Sequence, residues 1–331
     1  MLRYILYLKN YWESQYDEHS FVDYEKHFSL SEPCNIYLIG IRPRICIVPD
    51  YLEAQGQDVK LKFKIQDKFD FPEVSATLRL NRMPAGKIWI ETEAPYSRFN
   101  LIDDEGYFFD KVKYQEDDVR AKSLYALRNS VSESDFAFND LEILYVGKSV
   151  KMDPKISAVK RIQNHQKMQR ILEQCTGKYF DKEVYVILCS FVAKTDLIGL
   201  GKEMLQIKDI KKHIVTVSKQ AVKLKSSNDF ITQVAEAALI DFFDTREFNK
   251  DFIGAFGRKT HSYYNQIMEG NVSTVILEVD FSGLGNIFTK RIPSRAKHLV
   301  TYYPKEDFRK ETDEFLLNGF FNADLDAADT D

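Results

Sequence analysis

The sequence predicts an α+β protein: a central small α/β domain, a β-rich domain before it and strands after it. Three observations lead there. Residues 35–94 alternate apolar and polar side chains, with turn residues every ten positions or so. The middle third then reads strand, helix, strand, helix, the order of an α/β unit. Residues 273–303 return to strand-like runs.

The first region is justified run by run. Asn35–Gly40 and Arg44–Val48 are short apolar segments, while Val59–Ile65 and Lys87–Thr92 alternate strictly. A period of two puts one face in a core and the other in water. Pro43, Pro49, Pro72, Pro84-Ala-Gly86 and Pro95 fall between the runs, where turns belong. These strands predict a sandwich or small barrel. Residues 102–118, acidic and aromatic, read as an irregular connector. In the middle third, Leu141–Gly147 and Glu183–Val192 read as strands. Ile156–Cys175 and Asp229–Phe243 carry apolar residues at helical spacing. Lys-rich residues 196–227 read as an added helix or lobe. Ser273–Val279 and His298–Tyr303 supply the last strands, and Asn322–Asp331 is a small acidic tail. The expected divisions are 1–118 (β-rich), 119–268 (α/β), 269–320 (β extension) and 321–331 (mobile tail).

Composition narrows the function classes. The 331 residues are 44% hydrophobic and 29% charged, which excludes disorder over the whole chain. No apolar run approaches the roughly 18–20 residues needed to span a bilayer, so no membrane is expected. The N-terminus is too short and too soon charged to read as a signal peptide. Four cysteines without a CxxC suggest neither a zinc site nor a disulfide framework, and a cytoplasmic setting is expected. The net charge of −4 hides an uneven distribution: residues 141–260 carry +7, flanked by −6 and −5. Such a block reads either as solvated lysine-rich faces or as a surface for phosphates.

Within that block, three pieces carry candidate chemistry: Leu144-Tyr-Val-Gly-Lys-Ser149, Arg161-Ile-Gln-Asn-His165, and Glu236–Phe243 followed by Glu247-Phe-Asn249. Arg161 and His165 are four apart and share one face of a helix. A guanidinium is a fixed fork for phosphate oxygens, and a histidine beside it exchanges a proton near neutral pH. Glu236 is the one acidic residue in the stretch 230–240. A lone carboxylate suits a hard ion that keeps most of its waters, Mg²⁺ or Mn²⁺. A tyrosine hydroxyl at a strand end can orient the attacking water. Each residue also has an ordinary structural reading: Tyr145 as packing, Arg161 and His165 as a solvated face, Glu236 as a lysine partner, Asn249 as a turn residue.

In order and residue type these pieces resemble the GIY-YIG endonuclease superfamily. The resemblance covers about residues 120–265. It implies a GIY-YIG-like central domain in which Tyr145 and Gly147 match the YIG half, and Arg161 and His165 match the first helix. Glu236 matches the metal-binding glutamate and Asn249 the residue that closes the core. The activity it implies is metal-dependent hydrolysis of nucleic-acid phosphodiesters, DNA rather than RNA, with Lys148, Lys151, Lys160 and Lys167 on the phosphates. The GIY half is not evident. Tyr125, in Ser123-Leu-Tyr125, is the nearest candidate and requires a long hairpin through residues 130–140. A chain that binds nucleic acid without cleaving it, or an interaction protein whose β domain does the work, are the alternatives. Oligomeric state is not read from the sequence.

Overall fold

The computed structural model describes residues 2–16, 34–80, 82–107, 121–128, 137–148, 166–197, 215, 216, 219, 228–252, 254, 256, 257, 259, 261 and 263–304. Its centre is one curled sheet of seven strands. These are β1 (Leu2–Gln15), β2 (Ile36–Pro43) and, after an inserted module, β10 (Leu141–Lys148), β11 (Lys182–Leu197), β12 (Val272–Asp280), β13 (Ile287–Phe288) and β14 (Lys297–Tyr302). Their order across the sheet is β13-β10-β2-β11-β1-β12-β14. β2 runs antiparallel to both β10 and β11, and β11 antiparallel to β1. The parallel pairs are β1 with β12 and β10 with β13.

The module inserted between β2 and β10 contains seven short strands. β3 (Ile45–Gln55), β4 (Asp58–Ile65) and β5 (Glu73–Arg79) form one small sheet. β6 (Trp89–Thr92), β7 (Arg98–Asp103), β8 (Gly106–Tyr107) and β9 (Ala121–Lys122) form another. The alternation read in β4 is the observed one: Val59, Leu61, Phe63 and Ile65 are buried, and the lysines between them look outward. The two sheets meet where the Phe63 and Phe99 rings make an edge contact, their centroids 6.1 Å apart, within the roughly 4.5–7 Å of such pairs. Helix α1 (Ser123–Arg128) closes the module, burying Leu124 and Leu127.

Two longer helices cover the large sheet from opposite sides. α2 (Gln166–Gly177) lays Met168, Ile171 and Cys175 on Tyr37, Ile39, Ile41, Val184 and Val186. α3 (Asn228–Phe243) buries ten residues against the other face, with Ile36, Leu38, Ile143 and Val146 in the same core. A short α4 (Tyr264–Glu269) leads into β12.

A buried charge network ties the sheet together. The Arg42 guanidinium crosses β11 over the Tyr185 ring, 4.5 Å from its centroid, and meets Glu13 of β1 at 2.6 Å. Its other nitrogen donates to the Asn139 carbonyl oxygen at 3.3 Å, and Asn139 donates onward to the Leu284 carbonyl. Arg42 and Glu13 side chains are 0% and 2% exposed.

The architecture corrects the expected α+β class with its central small α/β GIY-YIG-like domain. Strands take 49% of the structure and helices 22%, and the dominant body is the large curled sheet. The reason lies in pairing. The sequence order strand, helix, strand, helix is real, but β10 and β11 do not pair: β2 lies between them, antiparallel to both. Periodicity reveals which segments are strands and is silent about partners roughly a hundred residues away. The seven-stranded sheet draws on residues 2–15, 36–43, 141–148, 182–197 and 272–302 alike.

Candidate functional site

The chemistry-bearing residues gather at the C-terminal end of β10. Pairing with β2 slips by one residue between Ile143 and Tyr145, a bulge at Leu144. Without it, neighbours would alternate between faces. With it, Leu144 and Tyr145 both enter the core on the α2 side, while Ile143 and Val146 enter the α3 side. Bulges re-aim side chains in this way. Tyr145 is thereby turned under α2, where it is 5% exposed.

Across the ladder, Tyr37 of β2 pairs with Gly147. The Tyr37 and Tyr145 rings are 5.9 Å apart, tilted by 43°. A Cβ on Gly147 would run into the Tyr37 phenol, and it would also come within 2.8 Å of the Tyr145 ring. Gly147 is thus required by the two tyrosines around it, beyond any role in ending the strand. Lys167, on the first turn of α2, stands over the Tyr145 ring at 5.8 Å. It also donates to Asp251 at 2.7 Å, and that bond and charge hold the Asp251 carboxyl below its ordinary pKa.

Lys148 pairs with Ile36, whose side chain enters the α3 side. There its ammonium meets Glu236 of α3 at 2.7 Å, both side chains partly exposed. The strand end therefore carries two groups. Tyr37, Tyr145 and Lys167 lie on the α2 side, and Lys148 with Glu236 lies on the α3 side. A phosphate can address both only over the end of β10.

Asn249 fixes this end. The outer edge of β10 pairs with β13 only at Leu141 and Glu142. Farther along, Asn249 does what another strand would do. Its amide donates to the Val146 carbonyl at 2.7 Å and its oxygen accepts from the Val146 N–H at 3.2 Å. The Thr245 hydroxyl donates to the same oxygen at 2.9 Å. Asn249→Ala would orphan two buried backbone groups, at about 1–3 kcal/mol each. We expect it to lower stability by about 2–4 kcal/mol in urea denaturation; a loss under 1 kcal/mol would mean the edge is held by other groups.

Of the sequence candidates, Tyr145, Gly147 and Lys167 meet on the α2 side of the β10 end, Lys148 and Glu236 on the α3 side, and Asn249 on its edge. Arg161, His165, Lys151 and Lys160 lie outside the described residues. Tyr125 sits on α1, against the inserted module, and its side chain is also outside the description. Tyr37 is the residue that sequence reasoning missed. Its signal was present in the apolar run Asn35–Gly40, but only the pairing of β2 with β10 brings it to Tyr145.

Among the described residues no three His, Cys, Asp or Glu side chains are placed to share an ion. Glu236, partly exposed and offering two oxygens, one of them engaged by Lys148, fits a Mg²⁺ or Mn²⁺ ion that retains most of its waters. No helix among the described residues is long and apolar enough to cross a membrane. In comparisons with family models, with curated proteins and with solved structures, the chain matches none.

Proposed function

We propose that the chain is a metal-dependent endonuclease hydrolysing phosphodiester bonds of nucleic acid, DNA in preference to RNA, over the end of β10. The observation that carries this reading is that the end of β10, within the +7 segment, bears the partly exposed Glu236 with Lys148 on one face and Lys167 over Tyr145 on the other, with Tyr37 brought beside Tyr145 by β2. Lys148 and Lys167 bracket the strand end and attract a phosphate. Tyr145 orients the attacking water in this scheme, and the fully buried Tyr37 packs beside it. Arg161 and His165 follow β10 in the chain and serve as the phosphate fork and the proton carrier in this scheme. When bound at Glu236, the divalent ion supplies positive charge for the leaving oxygen. Gly147 and Asn249 keep the strand end in shape.

The test is nicking of supercoiled plasmid by the full chain in Mg²⁺ and Mn²⁺. Activity should vanish with chelator, fall steeply as salt rises, and be lost in Arg161→Ala. A folded wild type that leaves plasmid and RNA intact across divalent ions sinks the proposal. One observation favours a second reading, binding without cleavage: Lys148 already neutralises Glu236, and Tyr145 is almost wholly buried. Salt-dependent gel shifts with no product in any metal would establish that reading instead.

A further inference from the structure

The turn between β4 and β5 presents aromatic side chains to solvent. Phe69 is 85% exposed and Phe71 53%. Phe69 leans on Phe180, itself 39% exposed, with ring centroids 5.4 Å apart. Phe180 belongs to the turn between α2 and β11, 111 positions away in sequence.

This pair is held in place. Asp67 and Asp70 exchange two backbone hydrogen bonds across the turn, 3.0 and 2.9 Å. That closes it with Lys68 in the left-handed region at φ 55°, where a lysine is strained. The nearly buried Asp181 carboxylate accepts the Lys68 N–H at 3.2 Å, joining the turn to the residue after Phe180. The backbone of Arg44 links the same two loops, donating to the Asp181 carbonyl and accepting from Gln66. Strain and anchoring together keep the two rings presented, although burying them would be the cheaper arrangement.

A cationic row leads from the candidate site to this pair. Lys167, Arg170, Gln174 and Lys178 are spaced three and four apart, so they form one stripe along α2. The last turn continues to Lys178, whose N–H donates to the Gln174 carbonyl at 2.7 Å. Arg170 and Lys178 are exposed, and the exposed Glu173, three positions from Arg170, lies at the edge of the stripe. At 1.5 Å per residue the row is about 17 Å long, room for about five nucleotides at duplex spacing and fewer in an extended strand. It begins at the Tyr145 ring and ends beside Phe180. Asp67 and Asp70 flank Lys68 on the turn itself, so the platform suits a base; the Lys178 ammonium lies over the Tyr179 ring at 5.0 Å, with Glu247 and Glu142 acting on it.

We propose that Phe69 and Phe180 form a stacking platform for a base of single-stranded nucleic acid, whose backbone follows Lys167, Arg170 and Lys178 to the end of β10. This rests on the reading of that end as a phosphate site and deepens it: the substrate carries a single-stranded segment. Aromatic faces stack bases of any identity, so no target sequence is implied.

The experiment measures binding to the intact chain by fluorescence anisotropy, using labelled oligo-dT and oligo-U of twelve nucleotides and a blunt duplex. The single strands should bind more tightly than the duplex. Phe69→Ala with Phe180→Ala should weaken them tenfold or more while leaving duplex binding and circular dichroism unchanged. Arg170→Gln with Lys178→Gln should flatten the salt dependence by close to two charges. A 2-aminopurine in the strand should be quenched by the wild type and not by the phenylalanine pair variant. Single-strand affinity unchanged in that variant overturns the proposal. So does a preference for blunt duplex, or self-association in sedimentation that disappears with the two phenylalanines, which assigns the patch to a second copy. Failure of the cleavage reading is read separately, as absence of nicking with these binding results intact.

Discussion

Glu13→Ala should cost about 3–5 kcal/mol, a large share of the roughly 5–15 kcal/mol that holds a domain folded. The substitution leaves the Arg42 guanidinium buried under the sheet with its counter-charge gone, and a buried unpaired ion is far more costly than the pair is favourable. Denaturant midpoints would measure it, with Arg42→Met as the companion variant. Because removing both charges removes the mismatch, Glu13→Leu with Arg42→Met should be much less damaging than Glu13→Ala alone. If the single substitution cost less than about 1 kcal/mol, water would have to reach the pair. The same network fixes strand order, since Arg42 can meet Glu13 only by crossing Tyr185 of the intervening strand.

Glu236→Gln should lower plasmid nicking by at least about a hundredfold, in line with losses on removing a group that acts on developing charge. Stability should change by under about 1 kcal/mol, because the ion pair with Lys148 is partly solvated. The amide has nearly the same shape, so lost packing cannot explain the effect. Raising Mn²⁺ should not restore the rate. Binding to nucleic acid should hold or tighten slightly, since Lys148 gains freedom to meet phosphate. Cleavage within threefold of wild type would remove Glu236 from the chemistry. A matching loss of folding would make it structural.

The legible part of this chain was local. β4 was read from the lysines and apolar residues that alternate along it, and α3 from its apolar spacing. Tyr145, Lys148, Glu236 and Asn249 were chosen by residue type and order; Lys148 pairs with Glu236 and Asn249 bonds Val146, while Tyr145 lies on the other face of the strand. What could not be read was non-local. The partner for Tyr145 was sought twenty residues upstream, at Tyr125. The chain instead makes the whole inserted module between β2 and β10 before the ladder closes, and so delivers Tyr37. The bulge at Leu144 was equally silent, because one extra residue in a short apolar run leaves no trace in its pattern. The fold class failed for the same cause: helices and strands alternate in the middle third, but their neighbours come from its flanks.

The place of β1 has a consequence for how the protein is made. Leu2, Tyr4 and Leu6 are buried in the middle of the sheet, between β11 and β12. At synthesis rates of about 5–20 residues per second, β12 emerges about 13–50 seconds after β1. Until β11 emerges, about 9–36 seconds after β1 at those rates, β1 is an apolar strand with neither neighbour available, the kind of segment that pairs wrongly or attracts a chaperone. Ribosome-bound nascent chains that stop before residue 182 should therefore hold a finished inserted module beside an open sheet.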